Sequence, residues 1–195
     1  MSRRLDTIHA GYFDDLYNSD PDPWQFRTSD YEHEKYRATL DALSRPRYAE
    51  ALEVGCAIGI LTRQLAERCD HLLALDGSAV ALAAAQSECV GRANVSFACG
   101  MVPADFPAGG RDLIVLSEVL YYFGPDDLRR MAAWTTEALE PGGVALLTHW
   151  LGETPDYPLT GDEAVEAFLS AAPGLTTDLR RRRERYRLNR LSRPA

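Results

Sequence analysis

Lysine is nearly absent from this chain. Of 21 basic residues among 195, only Lys35 is a lysine and the rest are arginines. Single arginines therefore carry little information, and the lone lysine carries more. Cysteine is scarce too. Cys56, Cys69, Cys89 and Cys99 form no C-x-x-C pair, which leaves out a zinc ribbon and a thioredoxin-type motif. No metal site is expected. No run approaches the ~18 consecutive apolar residues of a membrane span. The basic start Met1-Ser2-Arg3-Arg4 leads into no apolar stretch, as a secretory signal would require. An excess of positive charge is also missing. The formal net charge of −8 argues against a general nucleic-acid binder, which shows a basic footprint. These absences together predict a cytoplasmic protein with reduced thiols, no membrane and no nucleic-acid partner. They carry no indication of oligomeric state.

What is present suffices for one domain with a real core, at 46% hydrophobic residues. The first segment, 1–48, is rich in Asp, Tyr and charge. Leu5, Ile8, Tyr12 and Leu16 keep rough helical spacing there. Pro21 and Pro23 then break any helix. Ser29 or Asp30 is placed to cap a second helix running to about Leu43, with Glu32 spaced as in a capping box. From Ala51 the pattern turns to alternating units. Apolar strands are expected at 51–54, 71–76, 95–100, 112–120 and 144–150, with helices near 61–66, 78–90, 126–139 and 161–171. Repeated strand–helix units with short links mean a parallel sheet covered on both sides. The tail "TTDLRRRRERYRLNRLSR" reads as two polar strands or a hairpin, and its cluster Arg180–Arg183 as a solvated edge.

A ligand loop is expected where the first strand ends. In "ALEVGCAIGI" (51–60) two glycines, Gly55 and Gly59, stand four apart. A dinucleotide loop needs glycines at offsets 0, 2 and 5, and Ala57 occupies the middle one. The Lys-Ser/Thr of a phosphate-binding P-loop is also lacking. Asp76 closes the second strand, where an acidic side chain accepts hydrogen bonds from ribose hydroxyls.

Glu53-x-Gly55-x-Ala57-x-Gly59, Asp76 and the "PGG" ahead of the fifth strand resemble class I S-adenosylmethionine-dependent methyltransferases. "DPWQFRTSDYEHEKYRATLDAL" (22–43), "DLIVLSEVLYYF" (112–123) and "HWLGETPDYPLTGDE" (149–163) narrow this to the nodulation N-methyltransferase (NodS-like) family and its bacterial relatives. The resemblance implies a doubly wound, Rossmann-like α/β sheet. Its seven strands would be mostly parallel, with an antiparallel C-terminal strand and helices on both faces. It also implies a helical lid (1–48) over a methyltransferase domain (49–195). S-adenosylmethionine is the implied cofactor, bound by Trp24, Glu53, Gly55, Cys56, Gly59, Asp76, Gly77, Gly100, Met101 and Ser117. The acceptor would be a small molecule or oligosaccharide, with Tyr31, Lys35, Tyr121, Tyr122 and Trp150 at its pocket.

Methyl transfer from a sulfonium needs no metal. It needs an in-line nucleophile held close, with water excluded. Glu118 interrupts an apolar strand at its carboxyl end, and a buried carboxylate needs a partner. His149 ends the fifth strand on the same rim, with a titration range suited to proton transfer. The expectation is therefore N-methylation of a free amino group on a sugar or deacetylated chitooligosaccharide-like glycan. Glu118 would orient the amine and His149 would take its proton. Two alternatives stand beside it. One is methylation of a hydroxyl or amine of another small metabolite; the other is a non-catalytic S-adenosylmethionine-binding module. A nicotinamide dehydrogenase is disfavoured by the glycine spacing.

Overall fold

The computed structural model describes residues 3–195; Met1 and Ser2, which head both the expected lid and the basic start, lie outside the described residues. Seven strands form: β1 (Tyr48–Val54), β2 (Cys69–Asp76), β3 (Val95–Cys99), β4 (Arg111–Ser117), β5 (Leu139–Trp150), β6 (Thr176–Arg182) and β7 (Tyr186–Ser192). Among the described residues six α-helices accompany them: α1 (Ala10–Ser19), α2 (Asp30–Asp41), α3 (Ile60–Leu65), α4 (Ala79–Glu88), α5 (Pro125–Ala138) and α6 (Gly161–Ala171).

The strands make one sheet in the order β3-β2-β1-β4-β5-β7-β6. β1 to β5 pair in parallel. β7 runs antiparallel to both β5 and β6, so it alone is reversed. The expected mixed sheet is what forms. β4 shows why both faces are covered. Successive side chains of a strand point to opposite faces. Ile114 and Leu116 pack with Leu128 and Met131 of α5 and Phe168 of α6. Leu113 and Val115 pack on the other side with Tyr36 of α2 and Leu61 and Leu65 of α3. An apolar run without alternation is thus buried twice.

Helix starts follow local chemistry. α5 opens on Pro125 with Asp126 and Asp127 in its first turn, where proline loses no hydrogen bond and acidic groups meet the helix dipole. α6 carries a complete capping box. The Glu163 amide donates to Thr160 Oγ1 at 3.2 Å, and the Thr160 amide donates back to Glu163 Oε2 at 2.8 Å. α2 carries half of one. The Glu32 amide donates to Ser29 Oγ at 3.4 Å, but the Glu32 carboxylate turns away from Ser29.

The strand expected at 112–120 ends at Ser117, with a 3₁₀ turn at Leu120–Tyr122, and two further stretches differ from the sequence expectation. α1 begins only at Ala10. Ile8 lies in an extended segment whose amide donates to the Tyr122 carbonyl at 2.9 Å, and Leu5 is exposed. The Pro141-Gly142-Gly143 stretch is an irregularity within β5 rather than a turn ahead of it. Arg111 pairs with Leu139, and pairing resumes with Leu113 opposite Val144.

β1 lies between β2 and β4, where strand order reverses. Ligands bind open sheets of this kind outside the carboxyl ends of the strands at that point.

Candidate active site

The turn after β1 is held by backbone geometry. Gly55 has φ +77°, and a side chain there would come within 2.2 Å of Val119 Cγ1. The same closeness sets the residues after β4 against the glycine loop. Ala57 takes φ +50° despite its side chain. Its amide donates to Asp76 Oδ2 at 2.8 Å, which offsets the strain of a left-handed alanine. The middle position thus adopts a glycine-like backbone without glycine.

Asp76 Oδ1 accepts the Ser78 amide at 2.8 Å. Burial raises the Asp76 carboxyl above its usual range, against the pull of the Ser78 and Ala57 amides. Glu53 Oε2 accepts Thr62 Oγ1 at 2.6 Å. Burial pushes the Glu53 carboxyl up to about 8, against that hydrogen bond.

A cavity of about 680 Å³ runs from this loop to the end of β4. Drug-sized ligands occupy cavities of about 300–1,000 Å³. Trp24, Glu53, Gly55, Cys56, Asp76, Gly77, Gly100, Met101 and Ser117 line it, as do Tyr31, Lys35, Glu118, Tyr121, Tyr122 and Trp150. Two residues singled out from the sequence do not. Gly59 (φ +83°) turns toward α4, where a side chain would meet the Ala85 backbone at 2.9 Å. Glycine at this position allows the loop to pack on α4.

His149 is the second. It is 0% exposed and absent from the cavity wall. The Leu120 amide donates to its Nε2 at 3.0 Å, which commits the ring's lone pair, and Nδ1 meets no partner among the described residues. Burial pushes the imidazole down to about 4. A neutral ring with its acceptor nitrogen already used takes no proton from a substrate. The expectation of a proton-accepting His149 is corrected: the ring fixes the turn that follows Glu118.

Glu118 leaves β4 with φ +58°. Its Oε1 accepts from Lys35 Nζ. Its Oε2 accepts from Tyr121 Oη at 2.8 Å and from the Trp150 amide at 2.9 Å. Burial works to raise this carboxyl, but Lys35, His149 and the Trp150 amide together outweigh it and the net shift is downward. Lys35 is 2% exposed. Burial would lower it, yet Glu118 and Glu32 beside it hold it above its usual range. The lone lysine of the chain therefore sits charged between two carboxylates.

Sequence reasoning missed Glu32, Arg185 and Tyr157, which also line this end. Arg185 lies over the Tyr31 ring at 3.6 Å from its centroid, and Tyr31 Oη donates to the Arg185 carbonyl at 3.2 Å. Arg180–Arg183 stay exposed, with Arg182 paired to Asp162 at 2.7 Å. Tyr157 stacks with Tyr121 at 5.5 Å and meets Tyr122 edge-on at 4.7 Å. The "DYPLTGDE" stretch was the available signal for Tyr157. Arg185 was hidden inside an arginine run.

Among the described residues no group of three or more His, Cys, Asp or Glu is placed to hold a metal ion. No described helix is long and apolar enough to cross a membrane.

Known proteins are similar to this chain in sequence and fold. The family profile described as Nodulation protein S (NodS) matches residues 13–139. Nodulation protein S of Rhizobium tropici is 34% identical over 124 residues, covering 63% of this chain and 52% of that protein. The Bradyrhizobium diazoefficiens protein of the same name is 34% identical over 102 residues, covering 52% of this chain and 49% of that protein. The chain thus spans about half the length of the curated relatives it matches. Among solved structures, N-methyltransferase NodS from Bradyrhizobium japonicum in complex with S-adenosyl-L-homocysteine superposes with a TM-score of 0.83. It is 23% identical, covering 96% of this chain and 100% of that one. A putative methyltransferase from Pseudomonas syringae is 35% identical with a TM-score of 0.72, covering 84% and 99%.

Proposed function

The chain belongs to the nodulation protein S family, and from that premise we propose that it is an S-adenosylmethionine-dependent N-methyltransferase. Its acceptor is a free amino group of a sugar or of a deacetylated, chitooligosaccharide-like glycan. One observation carries the reading. A single cavity joins a glycine loop and a buried Asp76 to an acidic cluster walled by tyrosines.

The residues fit the cofactor. Asp76 presents a buried carboxylate at the end of β2 for hydroxyl donors, and the positive-φ turn at Gly55 brings backbone close to a ligand. When bound, the cofactor supplies an electrophilic methyl group. The remaining work falls to this chain. Trp24 and Tyr31 line the cavity from the segment ahead of β1, which supports reading that segment as a lid over the rest of the chain. The lid excludes water, and the cluster around Glu118 favours a cationic or hydrogen-bonding acceptor. Tyr121, Tyr122 and Tyr157 offer ring faces of the kind on which apolar sugar faces stack.

Transfer of a labelled methyl group to a panel of acceptors tests this. Glucosamine oligomers are expected to accept the label and their fully N-acetylated counterparts are not. Transfer to hydroxyl acceptors alone would favour the alternative of another small metabolite. Calorimetry with S-adenosylhomocysteine tests the cofactor separately, and Asp76→Ala is expected to lose that binding.

A further inference from the structure

Glu118 has no unused oxygen. Lys35, Tyr121 and the Trp150 amide already donate to it. Glu32 differs. Lys35 Nζ lies 2.9 Å from each of its oxygens but hydrogen-bonds to Oε1. Oε2 receives no hydrogen bond from any described residue. The side chain is 9% exposed and the residue lines the cavity. A buried carboxylate oxygen without a donor calls for a partner. The helix start makes the case stronger. Ser29-x-x-Glu32 is a capping-box pattern, yet this carboxylate forgoes the cap and turns inward.

The charges agree. Lys35 faces Glu32 and Glu118, so this buried trio carries a net charge of one negative. Tyr31 and Tyr36 of α2 and Arg185 of the β6–β7 hairpin are the other titratable groups near it. Arg185, Glu153 and Asp156 are exposed, so solvent screens their charges from the trio. A simple primary amine arrives protonated at neutral pH, since its pKa is about 10, and a less basic amino-sugar amine still carries a protonated fraction. Its positive charge neutralises the trio.

We propose that Glu32 Oε2 receives the acceptor's ammonium group and takes its proton, while Lys35 holds Glu118 as a fixed part of the wall. This rests on the amine-methylating reading above. The ammonium N–H bond breaks and its proton passes to Glu32. The freed nitrogen lone pair forms the bond to the methyl carbon, and the C–S electron pair stays on sulfur, giving S-adenosylhomocysteine. The proton leaves Glu32 for water as the products depart. Burial raises the Glu32 carboxyl above its usual range, with Lys35 pulling it back, which suits a group that must accept a proton.

Calorimetric titration of propylammonium chloride into protein saturated with S-adenosylhomocysteine tests the subsite without turnover. The wild type is expected to bind it, and Glu32→Gln to bind it about tenfold or more weakly. S-adenosylhomocysteine affinity should stay unchanged. No binding by the wild type, or equal binding by both, overturns the proposal. Glu32→Asp keeps the charge one methylene short. It serves if Glu32→Gln also loses S-adenosylhomocysteine, and ammonium affinity equal to wild type in that variant would sink the idea. If propylammonium binds through Glu32 but no glucosamine oligomer is methylated, the glycan reading fails and the subsite stands.

Discussion

Two helices of this chain open with the same spacing of a hydroxyl and a glutamate. At α6, Thr160 and Glu163 bond to each other's amides and the glutamate stays at the surface. At α2, Ser29 caps the helix alone and Glu32 is buried beside Lys35. The sequence signal is the same; the use differs. A capping box satisfies orphan amides at a helix start. Where a carboxylate forgoes that role, another interaction holds it, and here it is the ion pair that reaches Glu118. The lesson is that a local motif sets what a side chain is able to do, and the tertiary surroundings decide which partner it takes.

Turnover gives the widest separation between the two. Glu32→Gln is expected to lower kcat on an amine acceptor by about 10²-fold or more, the range of a lost general base. Glu163→Gln should leave kcat unchanged in the same steady-state assay. An equal loss in both would break the comparison. Stability separates them next, in reverse. Thr160→Ala should lower unfolding free energy by about 1 kcal/mol in urea titration, as a lost N-cap does. Ser29→Ala should cost less, about 0.5 kcal/mol, because its bond is long and unreciprocated.

The smallest effect is a difference in sign with pH. Glu163 is held below the usual carboxyl range by the Thr160 amide and hydroxyl. Its stabilisation is present above the unfolded value, about 4.3, and is lost as pH falls through the folded value. Glu32 is held above that range by burial. Its ionisation therefore lowers stability as pH rises past about 4.3 toward the folded value. Urea unfolding of wild type and each glutamine variant should show pH-dependent differences of opposite slope. His149, pushed down to about 4, should show no imidazole titration in NMR spectra between roughly pH 5 and 8. An acid limb in the rate profile over that range then does not belong to His149.

Much of the sheet was legible because central parallel strands are unbroken apolar runs, as at Leu113–Leu116. The glycine loop and Asp76 were legible because their spacing follows the strand ends. The inner face of α2 was not. Its buried residues are Glu32, Lys35, Tyr36 and Thr39, at the i, i+3, i+4 and i+7 positions of one stripe. A core-facing stripe made of charge and hydroxyl looks like a solvated face in sequence. The i, i+3 pair of a glutamate with the chain's lone lysine was the one available hint. His149 misled for a related reason: a position at a strand's carboxyl end says nothing about which way the ring points.

The burial of Lys35 has a practical consequence. It is the only side-chain primary amine in the chain, and it is shut beneath α2. An acylating reagent that modifies lysine side chains has a single side-chain target here, reached by way of the cavity that Lys35 lines. The rate at which Lys35 becomes acylated therefore reports access to the cavity, with no engineered label required.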